Sequence, residues 1–296
     1  MIDRVSTFAD KEIVKFLKSQ AVPVAIDQWY QRRQQDSEGD FYRRIASQGP
    51  RHDFERGTTQ GLYMASADGT FLGYTNHRSP EKVKKMLRQA MLQFRPAPTE
   101  KLSVKREDPK YQLSPPNGGL VVRVQAKVMG GYEPTENAVQ QIFQTALSRD
   151  NLWVSQAEHS HIAAGRFPKS LAHRIARFHL IDNTRGEPPM WRDREVLKSN
   201  FKIDGTVVRG HAELSTVSGD RSYSVDLLGE LQTEDGNVVA WNMVGSGTYF
   251  GDGQYTRGAP QGKFSLAISF TLADGKDIAD AIPPQGSRGW LRGYLP

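Results

Sequence analysis

Side chains suited to proton or metal chemistry crowd into residues 158–179, where Glu158, His159, His161, His173 and His179 fall close together. Imidazole nitrogens with a carboxylate are a common donor set for zinc and related ions. The spacing opposes such a site. Ser155-Gln-Ala-Glu158 is a capping-box sequence, which places the residues after it on a helix. On a helix His159 and His161 diverge by ~200°, and no histidine pair here falls at i,i+3 or i,i+4. Glu158, His159, His161 and His173 are therefore metal candidates by residue type alone. No metal and no other cofactor is indicated, and solvated or hydrogen-bonded histidines are the plainer account.

A second group is arranged by alternation. Arg209, His211 and Glu213 share one face of a strand, and Ser224, Asp226 and Glu230 share one face of the next. A histidine flanked by a carboxylate and an arginine is suited to acid–base work, so His211, Glu213 and Asp226 are the candidate catalytic residues of a hydrolytic or metal-assisted enzyme. The same pattern marks the solvated face of any antiparallel sheet. A third group lies in the aromatic, glycine-rich segment 247–258. There Tyr249, Tyr255 and Arg257, with Phe250, are the side chains of a contact surface at the end of a sheet. The segment lacks the strand–loop–helix setting of a phosphate loop. No nucleophile elbow, Walker sequence, zinc-protease helix or EF-hand loop occurs anywhere in the chain. Cysteine is absent, which removes disulfides, thiolate nucleophiles and thiolate ligands together.

Local patterns show how these groups are positioned. Leu120, Val122, Val124, Ala126 and Val128 alternate with Arg123, Gln125 and Lys127, as in a half-buried strand. Two helical stripes come next in the chain, one on Val139, Ile142, Phe143 and Ala146, another on Leu171, Ile175 and Phe178. From Ser199 onward turn signals recur at Asp204-Gly205, Ser218-Gly219-Asp220, Asp235-Gly236, Gly251-Asp252-Gly253 and Asp274-Gly275. Alternating apolar runs between them include Tyr223, Val225 and Leu227, then Phe264, Leu266, Ile268 and Phe270. Residues 117–296 are thus expected to form an α+β domain, a curled antiparallel β-meander with the helices of residues 135–181 packed on its apolar face.

The chain has 296 residues, 38% of them hydrophobic and 24% charged, with a net charge of +6, which suits a globular protein of two domains. Basic residues are scattered, and Lys82, Lys84, Lys85 and Arg88 lie on a solvated helix face, so a nucleic-acid surface is not indicated. No apolar run is long enough to span a membrane. Met1 to Asp10 lacks the order of a signal peptide, which leaves a cytoplasmic protein or a trimmed exported one.

The first part, residues 1–95, carries a capped helix from Lys11, an apolar run Val22–Asp27 that reads as a buried strand, and a helix over Ser37–Ala46. Next come a hairpin turning at Asp68-Gly69 and a helix opened by Ser79-Pro80-Glu81, with a stripe on Val83, Met86, Leu87, Ala90, Met91 and Phe94. Residues 96–116, charged and proline-containing, read as a linker. This order, with Val24-Ala-Ile-Asp-Gln-Trp29, resembles the thioredoxin-like superfamily, whose central strand carries an Asp and a Trp before its redox motif. The resemblance places that motif on Arg33-Gln34-Gln35-Asp36 and the cis-proline loop on Thr58-Thr59-Gln60-Gly61. It implies a trimmed α/β thioredoxin-like domain without redox cysteines or cis-proline. Thiolate exchange needs thiols that this chain does not have. The geometry then implies a binding platform on Trp29, Arg32, Arg33, Asp36, Thr59 and Gln60. The expected function is a redox-inactive binding or scaffold protein for a peptide, a protein partner or a small anionic ligand, held near the domain junction. This requires residues 33–36 to face an open groove.

Overall fold

The computed structural model describes residues 6–96, 107–288 and 291–295. They form two compact units, residues 6–113 and the chain from Ser114 onward. Part of the expected linker, residues 97–106, lies outside the described residues.

In the first unit α1 (Lys11–Gln20), α2 (Gln28–Gln31) and α3 (Ser37–Ser47) each begin on an aspartate. The carboxylates of Asp10, Asp27 and Asp36 accept hydrogen bonds from first-turn N–H groups, satisfying donors that a helix leaves open. Strands β1 (Leu62–Ala65) and β2 (Phe71–Thr75) pair as an antiparallel hairpin, and α4 (Pro80–Gln93) comes after it. Ile13, Leu72, Val83, Met86, Leu87 and Ala90 make the core. Val83, Met86, Leu87 and Ala90 of the expected stripe are thus buried on α4, while Met91 is partly buried and Phe94 lies past the helix and is exposed.

Residues 22–27 are a correction to the sequence reading: they form no strand, and Val22 and Val24 are 88% and 76% exposed. A buried strand needs neighbours for both its backbone edges, and Pro23 removes one donor outright. The β1–β2 sheet has only two strands, and α1 and α4 already fill its core. The unit therefore lacks the strand on which the thioredoxin-like resemblance was built.

The second unit runs β3 (Leu120–Val128), α5 (Ala138–Thr145), β4 (Asp150–Val154), α6 (Gln156–Ala163) and α7 (Lys169–Phe178). It continues through β5 (Val196–Asp204), β6 (Val207–Ser215), β7 (Ser222–Glu234), β8 (Asn237–Phe250) and β9 (Lys263–Leu272) to a short α8 (Leu291–Tyr294). Its strands form one curled antiparallel sheet in the order β4-β3-β9-β8-β7-β6-β5. The turns expected at Asp204-Gly205, Ser218–Asp220 and Asp235-Gly236 each close a hairpin. At the last of these Asp235 and Gly236 both have positive φ, the geometry that suits a two-residue connection.

Two elements depart from the sequence pattern. Strand β4 has no alternation because it is buried on both faces: Asn151 Nδ2 donates to the carbonyls of Ala279 and Ile282, which lie in the chain that covers it. Helix α5 has a clear apolar stripe yet no buried residue, and Val139 is 53% exposed. Leu171, Ile175 and Phe178 of α7 and Ile162 of α6 occupy the interior instead, leaving α5 at the margin.

The core also takes in charge. Arg174 and Glu158 form an ion pair, each side chain 4% exposed. Arg174 donates further to the carbonyls of Trp153 and Tyr294, while Glu158 accepts from Ser155 and Ser170. From β3 and from the residue just before β4, Arg123 and Arg149 converge on Asp280 and tie down the segment after β9. Removing one partner of a buried pair strands the other. Arg174→Met is expected to lower unfolding free energy by about 3–5 kcal/mol in urea titration. A loss below about 1 kcal/mol would show that the pair is not the fastening described.

Candidate functional site

In the first unit the expected platform residues are engaged by their own chain. Arg33 stacks on Trp29, its guanidinium carbon 4.2 Å from the ring centroid, and donates to the Trp29 carbonyl at 2.8 Å. Trp29 is half-buried, with its ring near those of Tyr30 and Tyr111. Arg32 is buried and donates to the Gly57 carbonyl. Gln34 and Asp36 are buried, Asp36 capping α3, and the Gln35 N–H donates to Asp108. Thr59 is fully buried, its hydroxyl between Tyr42 and Gln28, and only Gln60 stands in solvent. Residues 33–36 therefore do not offer the open groove that a platform requires.

The histidines of the second unit are separately employed. His159 donates from Nδ1 to the Gly118 carbonyl and accepts at Nε2 from the Val238 N–H, at 2.9 and 3.0 Å. That fixes a neutral tautomer with no lone pair left for a metal. Glu158 is consumed by Arg174 and the α6 cap, and His173 pairs with Asp193 at 2.9 Å. His161 is exposed. His179 lies buried between Asp150, 3.2 Å from Nδ1, and the Tyr294 hydroxyl, 2.5 Å from Nε2. Among the described residues no three metal-ligating side chains come together.

The cross-strand group does assemble. On the outer face of β6 and β7, Nδ1 of His211 lies 2.7 Å from Asp226 Oδ1 and Nε2 lies 3.0 Å from Glu213 Oε1. Carboxylate oxygens only accept, so both ring nitrogens must donate and the ring is an imidazolium. Hydrogen bonds to Glu213 first, then Asp226, raise its pKa above the ordinary value. Such a ring has no free nitrogen with which to take a proton, which speaks against a general base. The surroundings are an open sheet surface with the exposed Leu228 and Val244 nearby.

The end of the sheet holds the third group and a cleft that the sequence reading did not isolate. Tyr249 is a correction: it is 1% exposed, packed against Tyr223 and Phe264, because it shares inward parity with Trp241 and Met243. Tyr255 is 68% exposed and Arg257 is exposed beside it. The loop between β8 and β9 comes against the β6–β7 turn. Gly251 has φ +86°, and a Cβ there would run into the Asp220 carbonyl, so glycine is required. Gly253 lies equally close to Pro189, where a Cβ would stand 2.6 Å from Cδ. Residues of the segments 189–195, 216–221 and 252–254 thereby line an open cleft of about 510 Å³.

Arg221 lines this cleft and is only 4% exposed. One face of its guanidinium lies 4.1 Å from the Trp191 ring centroid, and Nη1 donates to the Pro189 carbonyl at 2.6 Å. Among the described residues no acceptor meets Nε or Nη2 and no carboxylate forms an ion pair with the group; these donors reach solvent. Glu195 also lines the cleft and is 6% exposed. Its Oε2 accepts the Arg192 N–H at 2.8 Å, and it forms no ion pair among the described residues. A signal for Arg221 does exist in the sequence: it precedes Tyr223 and Val225 by two and four positions, on the inward parity of β7. Comparison with family models, curated proteins and solved structures finds no match for this chain.

The His211 group gives a direct expectation. A raised pKa means that the ring's pairing stabilises the fold below the unfolded histidine's pKa and is lost as pH rises through the folded one. NMR titration of His211 should give a midpoint above the ordinary histidine value of about 6.5, and Asp226→Asn should bring it down. A His211 midpoint at or below that ordinary value would contradict the doubly bonded ring.

Proposed function

We propose that this is a non-catalytic binding protein whose second unit takes a small carboxylate-bearing ligand in the loop cleft, against Arg221. The observation that carries this reading is a nearly buried guanidinium with free donors opening on a cleft. The side chain is 4% exposed, and its unbonded donors are the part that reaches the cleft. Arg174 and Arg185 each pair directly with a buried carboxylate, whereas Arg221 is bonded only to a carbonyl and stacked on a ring face, with Asp220 acting on it through space but forming no ion pair. A planar carboxylate completes it, since two parallel N–H···O bonds match the fork of the guanidinium. Trp191 holds that fork in plane from one side, and is itself fixed by its Nε1–H bond to the Leu180 carbonyl.

The first unit, on this reading, is a structural element. For a redox-inactive, trimmed thioredoxin-like origin the support is the absence of cysteine and the helix, hairpin, helix order; the exposed, strandless residues 22–27 weigh against it. For the alternative of an enzyme, the cleft holds no histidine, and His211 has both nitrogens engaged. No helix among the described residues is long and apolar enough to cross a membrane.

The Trp191 indole N–H signal offers a readout at the site. Sodium acetate, against sodium chloride at matched ionic strength, should shift it in a saturable way. Arg221→Lys keeps charge and stem but loses the fork, and should weaken the response roughly tenfold or more; Arg221→Met should abolish it. An acetate response equal in all three proteins would overturn the reading.

A further inference from the structure

Arg221 is not the only charged side chain in the cleft wall that the fold leaves incomplete. Glu195 has Oε2 on the Arg192 N–H, while Oε1 meets no donor among the described residues and is not sealed from solvent. Both residues are more than nine-tenths buried and both line the same cleft. They do not satisfy each other: among the described residues neither takes part in an ion pair. A buried cation and a buried anion held apart on one cavity wall are each an incomplete site of opposite sign.

The rim has the same mixed character. Asp220 accepts the Thr216 hydroxyl at 2.5 Å, and that bond is the main reason its carboxyl stays below the ordinary range. Asp252 accepts only the Gly258 N–H, at 3.2 Å, and stands in solvent. Three carboxylates thus share the cleft with Arg192 and Arg221. A simple anion seated on Arg221 meets like charge from Glu195, Asp220 and Asp252, and a simple cation meets Arg221. Only a ligand bearing both charges relieves both buried groups. The rest of the wall includes the apolar Pro189, Met190 and Val217, suited to an aliphatic remainder.

We infer that the cleft is a site for small zwitterions of the free amino-acid class, the carboxylate on Arg221 and the ammonium on Glu195, with an apolar side chain preferred. The inference rests on the carboxylate reading above and assigns Glu195 as the second determinant. Three probes separate the two. Leucine carries both charges, 4-methylpentanoate is leucine without its ammonium, and 3-methylbutylamine is leucine without its carboxylate. Followed by the Trp191 indole signal and by calorimetry, leucine should bind roughly tenfold or more tightly than either relative, the difference that one charge-assisted contact commonly makes.

Glu195→Gln keeps an oxygen for the Arg192 N–H, so the loop can remain capped. It should weaken leucine roughly tenfold while leaving 4-methylpentanoate equal or tighter. If 4-methylpentanoate binds the parent protein as tightly as leucine, the zwitterion inference falls and the carboxylate reading stands. If neither binds, or if 3-methylbutylamine binds best, both fall. If Glu195→Gln weakens leucine and 4-methylpentanoate alike, Glu195 only shapes the loop and the assignment to the ammonium is overturned.

Discussion

A guanidinium does not give up its proton inside a protein, so an arginine on an inward helix face obliges the core to bring acceptors to it. Arg174 has that position on α7, among Leu171, Ile175 and Phe178. Its partners are Glu158 at the start of α6, the Trp153 carbonyl in β4 and the Tyr294 carbonyl at the end of the described chain, with the Tyr294 ring 5.2 Å away. Segments far apart in sequence are therefore fixed to one point inside the second unit. Arg123 and Arg149 repeat the device at the sheet edge through Asp280. The curled sheet supplies an apolar wall, and these cations decide which segments close over it.

Arg221 shows the same chemistry left incomplete. It is as deeply placed as Arg174, yet a carbonyl and an indole face are its only direct partners among the described residues, with Asp220 near it but forming no ion pair. The difference comes from location. Arg174 projects from a helix packed on strands, while Arg221 stands where β7 begins and three loops meet. Loops carried on a rigid sheet can hold charges toward solvent at fixed positions without closing on them, which is how binding sites are commonly built. Glu195, capped on one oxygen only, belongs to the same arrangement.

Much of the second unit was legible in residue types. Alternation in β3 and in the meander gave the inward faces, and Asp-Gly pairs gave the hairpin turns, because both signals act over a few residues and need no distant partner. The same parity places Tyr249 inward within β8, and Arg221 inward one residue before β7. Other readings failed where tertiary context overrode local pattern. The apolar run at 22–27 found no neighbouring strand, and the stripe of α5 found the interior already occupied by α6 and α7. Strand β4 went unread because burial on both faces erases the alternation by which a strand is recognised.

By itself the sequence determined what the chain cannot do, since no cysteine means no thiol chemistry, and it determined the local grammar of caps, turns and strand faces. Only the tertiary structure decided the site. His211 met Glu213 on its own strand and Asp226 on the next, which together engage both ring nitrogens. The residues of the expected platform were spent on their own unit. Arg221 and Glu195, unremarkable as letters 26 positions apart, came to share a cleft without pairing. The physical reason is that propensity and periodicity are properties of neighbours along the chain. The cost of an unmet charge depends on what the fold happens to bring beside it, and that is set at long range.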